Sequence, residues 1–481
     1  MLSTITIDVG TTSVKLCLFD QTGALLASGR QPTPTVSDPW GEIYDVAALE
    51  GLIIRFVAGL PAEQRAAVMK IAITGVGESG GLVREDGTLA SPMILWHDQR
   101  GAALLSTLGP SERHEIYRVT GLPANANYGL SKTAWSLQQT GSDAAGALWL
   151  NVSEYLAARM TGERWSEPSL ASRTMALDLR RRAWSAEIAG LLGVPVGTFA
   201  PLRNAAEGSP LTAAFAGSAG LSSVVEVHVS GHDHIVGAAG AGLRQGELLN
   251  STGTTEGLLV LRDSPSTDES TELIRLANGL ACSGEDFTLF ASIPTGGSAF
   301  ATLQSMLGLD ATALAAVIER VHGRYLAGEL VPSDCPLVLP QFRGSPPPDK
   351  DARARGFIAG IGTATTLDEL VLGTFLGMVL QFDEVLALFP ERPDRIKVIG
   401  PAGRNPLWLQ LKADLLEAPL SVSLFPEVVS AGAQALASAG PRSWDRSDPH
   451  EVAPDPGRSA KLAVWRDDVL PLWDTLKGAG R

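Results

Sequence analysis

Cysteine is scarce: Cys17, Cys282 and Cys335 are the only three in 481 residues, and no two of them make a Cys-x-x-Cys pair. That excludes a disulfide framework and points to a reducing compartment, the cytoplasm. Positive charge is the minority sign, 38 Lys and Arg against 52 Asp and Glu, giving a formal net charge of −14 with no basic patch. A nucleic-acid or anionic-membrane partner is therefore not expected. The opening MLSTITIDVG lacks a basic start and a long apolar run, so no signal peptide is expected. The most apolar stretch, Leu372 to Leu380, is soon interrupted by Gln381, Asp383 and Glu384. It is too short to span a bilayer and reads as a buried core helix. Gly-x-Gly-x-x-Gly and Walker A fingerprints are missing too, which argues against a Rossmann or P-loop nucleotide site, and no repeat of solenoid period is present.

What is present suits a compact globule: 45% hydrophobic and 19% charged residues, in a chain too long for one core, so two domains or more. Ile5, Ile7 and Val9 alternate with polar residues, as do Val14, Leu16 and Leu18. With turns at Gly10–Ser13 and Asp20–Gly23 and a third strand at 24–28, they predict an N-terminal β-meander. A helix capped by Asp45 follows to Leu60, then a buried strand at 69–76 running into Gly77-Glu78-Ser79, then a hairpin at 82–96 around Asp86-Gly87. Val224–Val229 leads into Gly231-His232-Asp233-His234 and a small-residue helix at 235–243. Glu247–Ser251, Thr252-Gly253-Thr254-Thr255 and an apolar strand at 257–261 repeat the N-terminal pattern, which implies a duplicated architecture with its boundary near 243–246. Helices are expected near 310–328, 366–388 and 405–417, then a Pro/Asp/Ser-rich linker at 441–457 and a short C-terminal helix.

Three loops carry chemistry. In Asp8-Val9-Gly10-Thr11-Thr12-Ser13 a glycine turn lets amides approach a phosphate, the hydroxyls add donors, and Asp8 offers an oxygen to Mg²⁺; a plain polar hairpin has the same residues. Asp233, at the carboxyl end of a strand, stands where α/β sheets place ligands and suits a base that accepts a hydroxyl proton, although aspartate also caps helices. Gly400-Pro401-Ala402-Gly403-Arg404-Asn405 is a strand-to-helix loop against which a flat base can lie, or an ordinary β–α turn. Val428–Ala433 looks like the small-residue start of a closely packed helix.

Taken together, these segments resemble the FGGY family of carbohydrate kinases, members of the actin-like ATPase superfamily. The resemblance runs over roughly residues 3–440. It is carried, in family order, by Asp8-x-Gly-Thr-Thr-Ser, Trp96-His97-Asp98-Gln99-Arg100, Thr120-Gly121-Leu122-Pro123, Gly231-His-Asp233, Ser251-Thr-Gly-Thr254-Thr255 and Gly400-x-x-Gly403-Arg-Asn405. It implies an α/β fold of two duplicated actin-like (ribonuclease H-like) lobes with an interlobe active-site cleft. The implied division is 1–243 (sugar, first phosphate loop and catalytic Asp), 244–440 (ATP) and 441–481 (linker and C-terminal helix). The implied reaction is ATP-dependent phosphorylation of a primary hydroxyl of a small sugar or polyol, with ATP and Mg²⁺ as cofactors.

By the same resemblance Asp233 is the catalytic base and, with Asp8, a Mg²⁺ ligand; Thr11, Thr12, Ser13, Thr254 and Thr255 meet phosphates; Gly400, Gly403 and Asn405 hold adenosine. Glu78, Trp96, Asp98, Asn127 and His234 are the expected sugar contacts, with an ion pair of Asp98 and Arg100 and a packing role for Trp96 as equal alternatives. A homodimer is the family's expectation for assembly. Gly77 stands where glycerol kinases carry arginine, Asn127 where they carry an aromatic, and Val76-Gly77-Glu78 where xylulose kinases carry Gln-Met-His. Pro401 replaces a usual glycine, and a usual Glu near Gly377 is absent. The substrate is therefore open among ketopentoses, ketohexoses and C4–C5 polyols, with glycerol fitting less well. A catalytically weak sugar sensor or a non-metabolic actin-like ATPase is the competing reading.

Overall fold

The N-terminal meander forms as the alternation predicts, and the register of the strands around it fixes where the chemistry lies. The computed structural model describes residues 2–438 and 442–480. It contains two compact units: Met1–Gly242 with Leu261–Leu289 and Glu427–Ser443, and Leu243–Val260 with Phe290–Pro426 and Trp444–Arg481. The expected boundary at 440–441 lies outside the described residues.

In the first unit, β1 (Ser3–Val9), β2 (Ser13–Asp20), β3 (Leu25–Pro32), β4 (Val68–Gly75), β5 (Ser209–Pro210) and β6 (Glu226–His232) form a sheet in the order β5-β6-β4-β1-β2-β3. β1 is antiparallel to β2, with Asp8 opposite Lys15, and parallel to β4, with Asp8 opposite Thr74. β6 is parallel to β4, with His232 opposite Gly75. These registers make the carboxyl ends of three parallel strands finish together, so that Asp8, the Gly77-Glu78 loop and His232-Asp233 fall at one edge.

Although apolar and polar residues alternate along β1, every residue of it is buried, Thr4, Thr6 and Asp8 included. One face packs Ile5, Ile7 and Val9 with Leu49, Ile53 and Val57 of the Val46–Gly59 helix and with Leu156 and Met160 of the Val152–Thr161 helix. The other is covered by a segment far away in sequence, the Val428–Ala437 helix, whose Ala433 carbonyl accepts from Ser230 Oγ at 3.2 Å. That helix crosses the Asp233–Gly240 helix so closely that a Cβ on Gly240 would lie 2.2 Å from the Val428 carbonyl, which accounts for the small residues in both.

The second unit repeats the plan with β7 (Glu247–Thr252), β8 (Glu256–Arg262), β9 (Phe287–Ile293), β10 (Arg395–Ile399), β11 (Leu420–Ser423) and β12 (Pro449–Val452), in the order β9-β8-β7-β10-β11-β12. β7 is antiparallel to β8 and parallel to β10, with Ser251 opposite Ile399. Its core gathers Leu314 and Val321 of the Ala311–Leu326 helix, Phe375 and Val379 of the Leu367–Leu386 helix, and Trp408 of the Pro406–Leu416 helix. Leu372–Leu380 is buried inside the second of these, as its interruption by charge predicts. Among the described residues no single helix is long and apolar enough to cross a membrane.

Two expectations change and a third is extended. The 82–96 hairpin closes around Asp86-Gly87, with Arg84 N–H donating to Thr88 O at 2.8 Å and Ala90 N–H to Leu82 O at 2.7 Å, and antiparallel bridges at Val83–Leu89 and Gly80–Ile94; its strand Gly81–Val83 also pairs with distant Leu148–Leu150. Part of the 441–457 linker is β12, recruited as an edge strand by β11. The short C-terminal helix is a 24-residue one, Pro456–Ala479, which continues through Pro471. A proline inside a helix removes one hydrogen bond and is disfavoured, yet buried Leu462, Trp465 and Trp473 anchor this helix in the second core.

Candidate active site

In the first unit the β1–β2 turn is closed by Gly10 N–H donating to Ser13 O at 3.1 Å, with Thr11 and Thr12 exposed beyond it. Arg30 Nε donates to Ser13 Oγ at 3.0 Å. At the base of the turn Asp8 is buried, and its carboxylate lies 3.4 Å from Lys15 Nζ, which also faces Glu427 at 3.6 Å. Burial raises the Asp8 carboxyl, Lys15 opposes this, and the charge of nearby Asp233 adds to it, leaving it at about 6.

Asp233 is the first residue of the Asp233–Gly240 helix. Its Oδ1 accepts from the His234 N–H at 2.7 Å and faces His232 Nε2 at 3.3 Å. The His232 ring is buried, and burial lowers it to about 4 against the pull of Asp233 and Glu78, so it is neutral at neutral pH. A neutral ring facing a carboxylate places its proton on Nε2. The ring lies against Gly77, where a Cβ would meet His232 Cδ2 at 2.9 Å and Arg173 Cγ at 3.0 Å. That contact is the physical reason for glycine at 77. The His234 ring stands edge-on to that of His232, centroids 5.4 Å apart.

Glu78 Oε1 accepts two bonds from Arg173, from Nε at 2.8 Å and Nη2 at 2.6 Å. Burial alone would raise this carboxyl; the charge and hydrogen bonds of Arg173, first among its cationic neighbours, overcome it and hold it at about 2. Among the described residues no hydrogen bond falls on Oε2. Arg173 also lies over the Tyr128 ring at 5.2 Å. The loop bearing Glu78 is gripped by Asn151, whose Nδ2 donates to the carbonyls of Val76, Gly77 and Ser79 at 2.9, 2.7 and 3.0 Å.

Trp96 Nε1 donates to Thr11 Oγ1 at 2.9 Å, so the tryptophan and the first turn are joined. Asn127 Oδ1 accepts from Gln99 Nε2 at 2.5 Å. Asp98 turns away from this group: both its oxygens accept from Arg100, backbone N–H and Nη2 each at 2.7 Å, and Arg100 also pairs with Asp38 at 2.9 Å and covers the Trp135 ring. The ion pair of Asp98 with Arg100 is thus formed, with both Asp98 oxygens engaged in it.

In the second unit the Thr254 carbonyl accepts from the Gly296 and Ser298 N–H groups at 3.3 and 3.1 Å, and Gly297 N–H donates to Gly253 O at 2.8 Å. Gly400, at φ +101°, abuts the same turn: a Cβ there would lie 2.5 Å from the Thr252 carbonyl. Asn405 caps the following helix, Oδ1 accepting from the Trp408 N–H at 3.1 Å, while its buried Nδ2 has no partner among the described residues. Beside it lies a cavity of about 210 Å³, lined by Phe300, Ile318, Ala402, Arg404 and Asn405 among others. Gly403 packs underneath, toward Val422.

Sequence reasoning missed Lys132, Asn151, Arg173, His232 and the Thr295–Ser298 loop. The available signals were lone charges in runs of small or apolar residues, Lys132 in Gly-Leu-Ser-Lys-Thr-Ala-Trp and Arg173 in Leu-Ala-Ser-Arg-Thr-Met-Ala. A charge so placed is buried only when paired.

Residues 3–240 match the N-terminal domain, and residues 248–440 the C-terminal domain, of the FGGY family of carbohydrate kinases. Over 464 residues the chain is 27% identical to the glycerol kinase of Gloeobacter violaceus, covering 91% of this chain and 88% of that one. Over 446 residues it is 26% identical to the L-fuculokinase of Escherichia coli K12, covering 89% and 90%. Its fold superposes on the ligand-bound xylulose kinase of Lactobacillus acidophilus with a TM-score of 0.85 at 18% identity, covering 100% and 98% of the two chains. It also superposes on Plasmodium falciparum glycerol kinase with ADP, at a TM-score of 0.83 and 18% identity, covering 98% of each. At such identities the likeness establishes the fold, two duplicated actin-like (ribonuclease H-like) α/β lobes.

Proposed function

The chain belongs to the FGGY family of carbohydrate kinases, and from that premise we propose that it transfers the γ-phosphoryl group of ATP to a primary hydroxyl of a small sugar or polyol, with Asp233 as the base. The observation that carries this reading is the common end of β1, β4 and β6, where Asp8, ionised Glu78 and Asp233 meet at one sheet edge.

Phosphoryl transfer leaves little covalent work for a protein; positioning and charge stabilisation supply most of the rate. His232 and the His234 N–H hold Oδ1 of Asp233, which leaves Oδ2 to accept the proton of the attacking hydroxyl. Arg173 fixes Glu78 through Oε1, so Oε2 stands ready to accept from sugar hydroxyls. With Oδ1 of Asn127 taken by Gln99, its amide nitrogen donates. Trp96, tethered through Thr11, offers a ring face for the C–H side of a sugar, and His234 borders the same group.

Arg173 beside Glu78 supplies, from elsewhere in the chain, the cation that glycerol kinases carry at position 77. The different placement and the absence of an aromatic at 127 favour ketopentoses, ketohexoses or C4–C5 polyols over glycerol.

Asp8 and Asp233 are the residues that would hold Mg²⁺, an ion that takes one or two carboxylates alongside waters and phosphates. A buried carboxyl raised to about 6 partly by a neighbouring carboxylate fits that role, and no group of three His, Cys, Asp or Glu among the described residues competes for the metal. Bound there, the ion supplies charge neutralisation for the triphosphate. Thr11, Thr12, Ser13, Thr254 and Thr255 are assigned to phosphates. Gly400, Gly403 and Asn405 are assigned to adenosine, where the unpartnered Asn405 Nδ2 and the neighbouring cavity suit a base.

The test is coupled ADP release with MgATP over a panel of ketoses and polyols, beside Asp233→Asn. Turnover on one or two members that disappears in the variant supports the reading. MgATP binding with no sugar-stimulated release overturns it in favour of a sensor.

A further inference from the structure

We infer that Lys132 is the positioning residue of the sugar site, an ammonium that sets the spacing of Glu78, Trp96 and Asn127 by holding the backbone carbonyl of each. The inference rests on the carbohydrate-kinase reading for what those three side chains do; the clamp itself rests on geometry. Lys132 lies in the Gly129–Thr140 helix and is fully buried. Its Nζ donates to Glu78 O at 2.9 Å, Trp96 O at 2.7 Å and Asn127 O at 2.6 Å. An ammonium has three protons and no lone pair, so three carbonyls satisfy it completely.

The three acceptors sit on three separate segments, and none of them is in a helix or strand. The Gly80–Ile94 bridge ties the first two segments two residues away from these carbonyls, and Gln99 ties the second to Asn127 Oδ1, but among the described residues it is the Lys132 nitrogen that joins all three. The coincidence is pointed: of all the carbonyls in the unit, those it holds belong to residues assigned to the sugar on independent grounds. Asn151 grips the Glu78 loop from its other side but reaches neither Trp96 nor Asn127. Among the described residues no carboxylate touches Nζ. The charged groups facing it are Glu78, committed to Arg173, and Asp98 and Arg100, committed to each other. Burial accordingly pushes the ammonium down to about 7, the pull of Glu78 and Asp98 notwithstanding. On losing its proton the amine keeps two donors and turns a lone pair toward a third carbonyl, so the clamp loosens as pH rises through 7. A core lysine with only a packing role has no reason to discriminate between the two substrates.

The experiment is steady-state ADP release with MgATP and, in turn, glycerol, xylulose and L-fuculose, on wild type, Lys132→Met and Lys132→Arg. Amide hydrogen exchange is followed on the same three proteins without substrate. Lys132→Met keeps an unbranched stem and removes the donors. Expected is a sugar KM raised about tenfold or more with the nucleotide KM unchanged. Exchange should quicken together in residues 77–80, 95–99 and 126–128 and not elsewhere in the unit. Wild type should show a rise in sugar KM from pH 6 to 8, and Lys132→Arg, which stays charged at every relevant pH, should recover part of the affinity and lose that rise. Equal changes in both KM values, exchange quickened throughout the unit, or no change in either measurement would overturn the inference. If none of the three sugars stimulates wild type, the kinase reading fails for them and exchange alone decides: joint loosening of the three segments sustains the clamp, and its absence sinks it.

Discussion

The two units share one scaffold and differ in how completely their buried charges are answered. In each, a strand turns through a Gly-Thr-Thr loop into an antiparallel partner and then accepts a parallel partner from later in the chain. The second unit buries Lys412 with Glu256 and Asn250, Nζ donating to Asn250 Oδ1 at 2.7 Å beneath the rings of Phe382 and Trp408. It also buries Asp414 with Arg458 Nε at 2.7 Å and Tyr325 OH at 2.9 Å. In these clusters charge meets charge inside the protein. The first unit pairs Glu78 with Arg173 through one oxygen and leaves the other open, sets Asp8 between Lys15 and the charge of Asp233, and holds Lys132 on carbonyls alone. A buried ion with an internal counter-ion holds a fold together; one whose pairing is incomplete is set for something that arrives from solution.

Four outcomes would break or sharpen that contrast. Asp233→Asn should lower sugar-stimulated ADP release by roughly 10²–10⁴-fold while leaving the melting curve in place; retained turnover would remove the aspartate from its role. Lys412→Met should do the reverse, destabilising the protein by about 3–5 kcal/mol in denaturant titrations, because it strands a buried carboxylate. An unchanged sugar KM in the surviving folded fraction is part of that expectation.

The third outcome concerns Glu154 and Glu167, which burial raises from 4.5 to about 7 and about 8. From pH 4.5 to 8 the folded state keeps protons that the unfolded chain gives up, so their contribution is complete below 4.5 and lost as pH rises through 7 and 8. Glu167→Gln should therefore reduce the fall in stability across that window by about 5 kcal/mol, measured as unfolding free energy against pH. An identical slope in the variant would mean that the carboxyl is ionised in the fold. Smallest is Thr11→Val, which removes the bond to Trp96 and one hydroxyl of the first turn. A loss of about 1 kcal/mol, near fivefold in kcat/KM for the sugar, is expected, with stability unchanged.

Much of the site was legible because its motifs are local. Asp8 and the turn after it, Asp233 at the start of its helix, and the Gly400–Asn405 loop lie where strand and cap patterns put them, since a few consecutive residues decide such turns. The meander, the core helix around Leu372–Leu380 and the duplicated second meander were legible for the same reason. What failed was long-range. The pairing of Gly81–Val83 with Leu148–Leu150 hid behind a persuasive Asp-Gly turn, and the edge strand Pro449–Val452 behind a composition that reads as linker. The Asp98–Arg100 ion pair was an open alternative in the sequence, but not the reach of Arg100 to Asp38, sixty-two positions away.

By itself, then, the sequence determined the family, the α/β plan with its duplication, and the residues that end the strands, because backbone propensities and turn chemistry act between neighbours. Only the tertiary structure decided which charges are open and which are answered. Arg173 reaches Glu78 across 95 positions. The Val428–Ala437 helix closes over a sheet begun at Ser3, and Lys132 gathers carbonyls from three loops. The physical reason is that a buried charge is defined by its partners, and partners are chosen by packing, which is indifferent to distance along the chain.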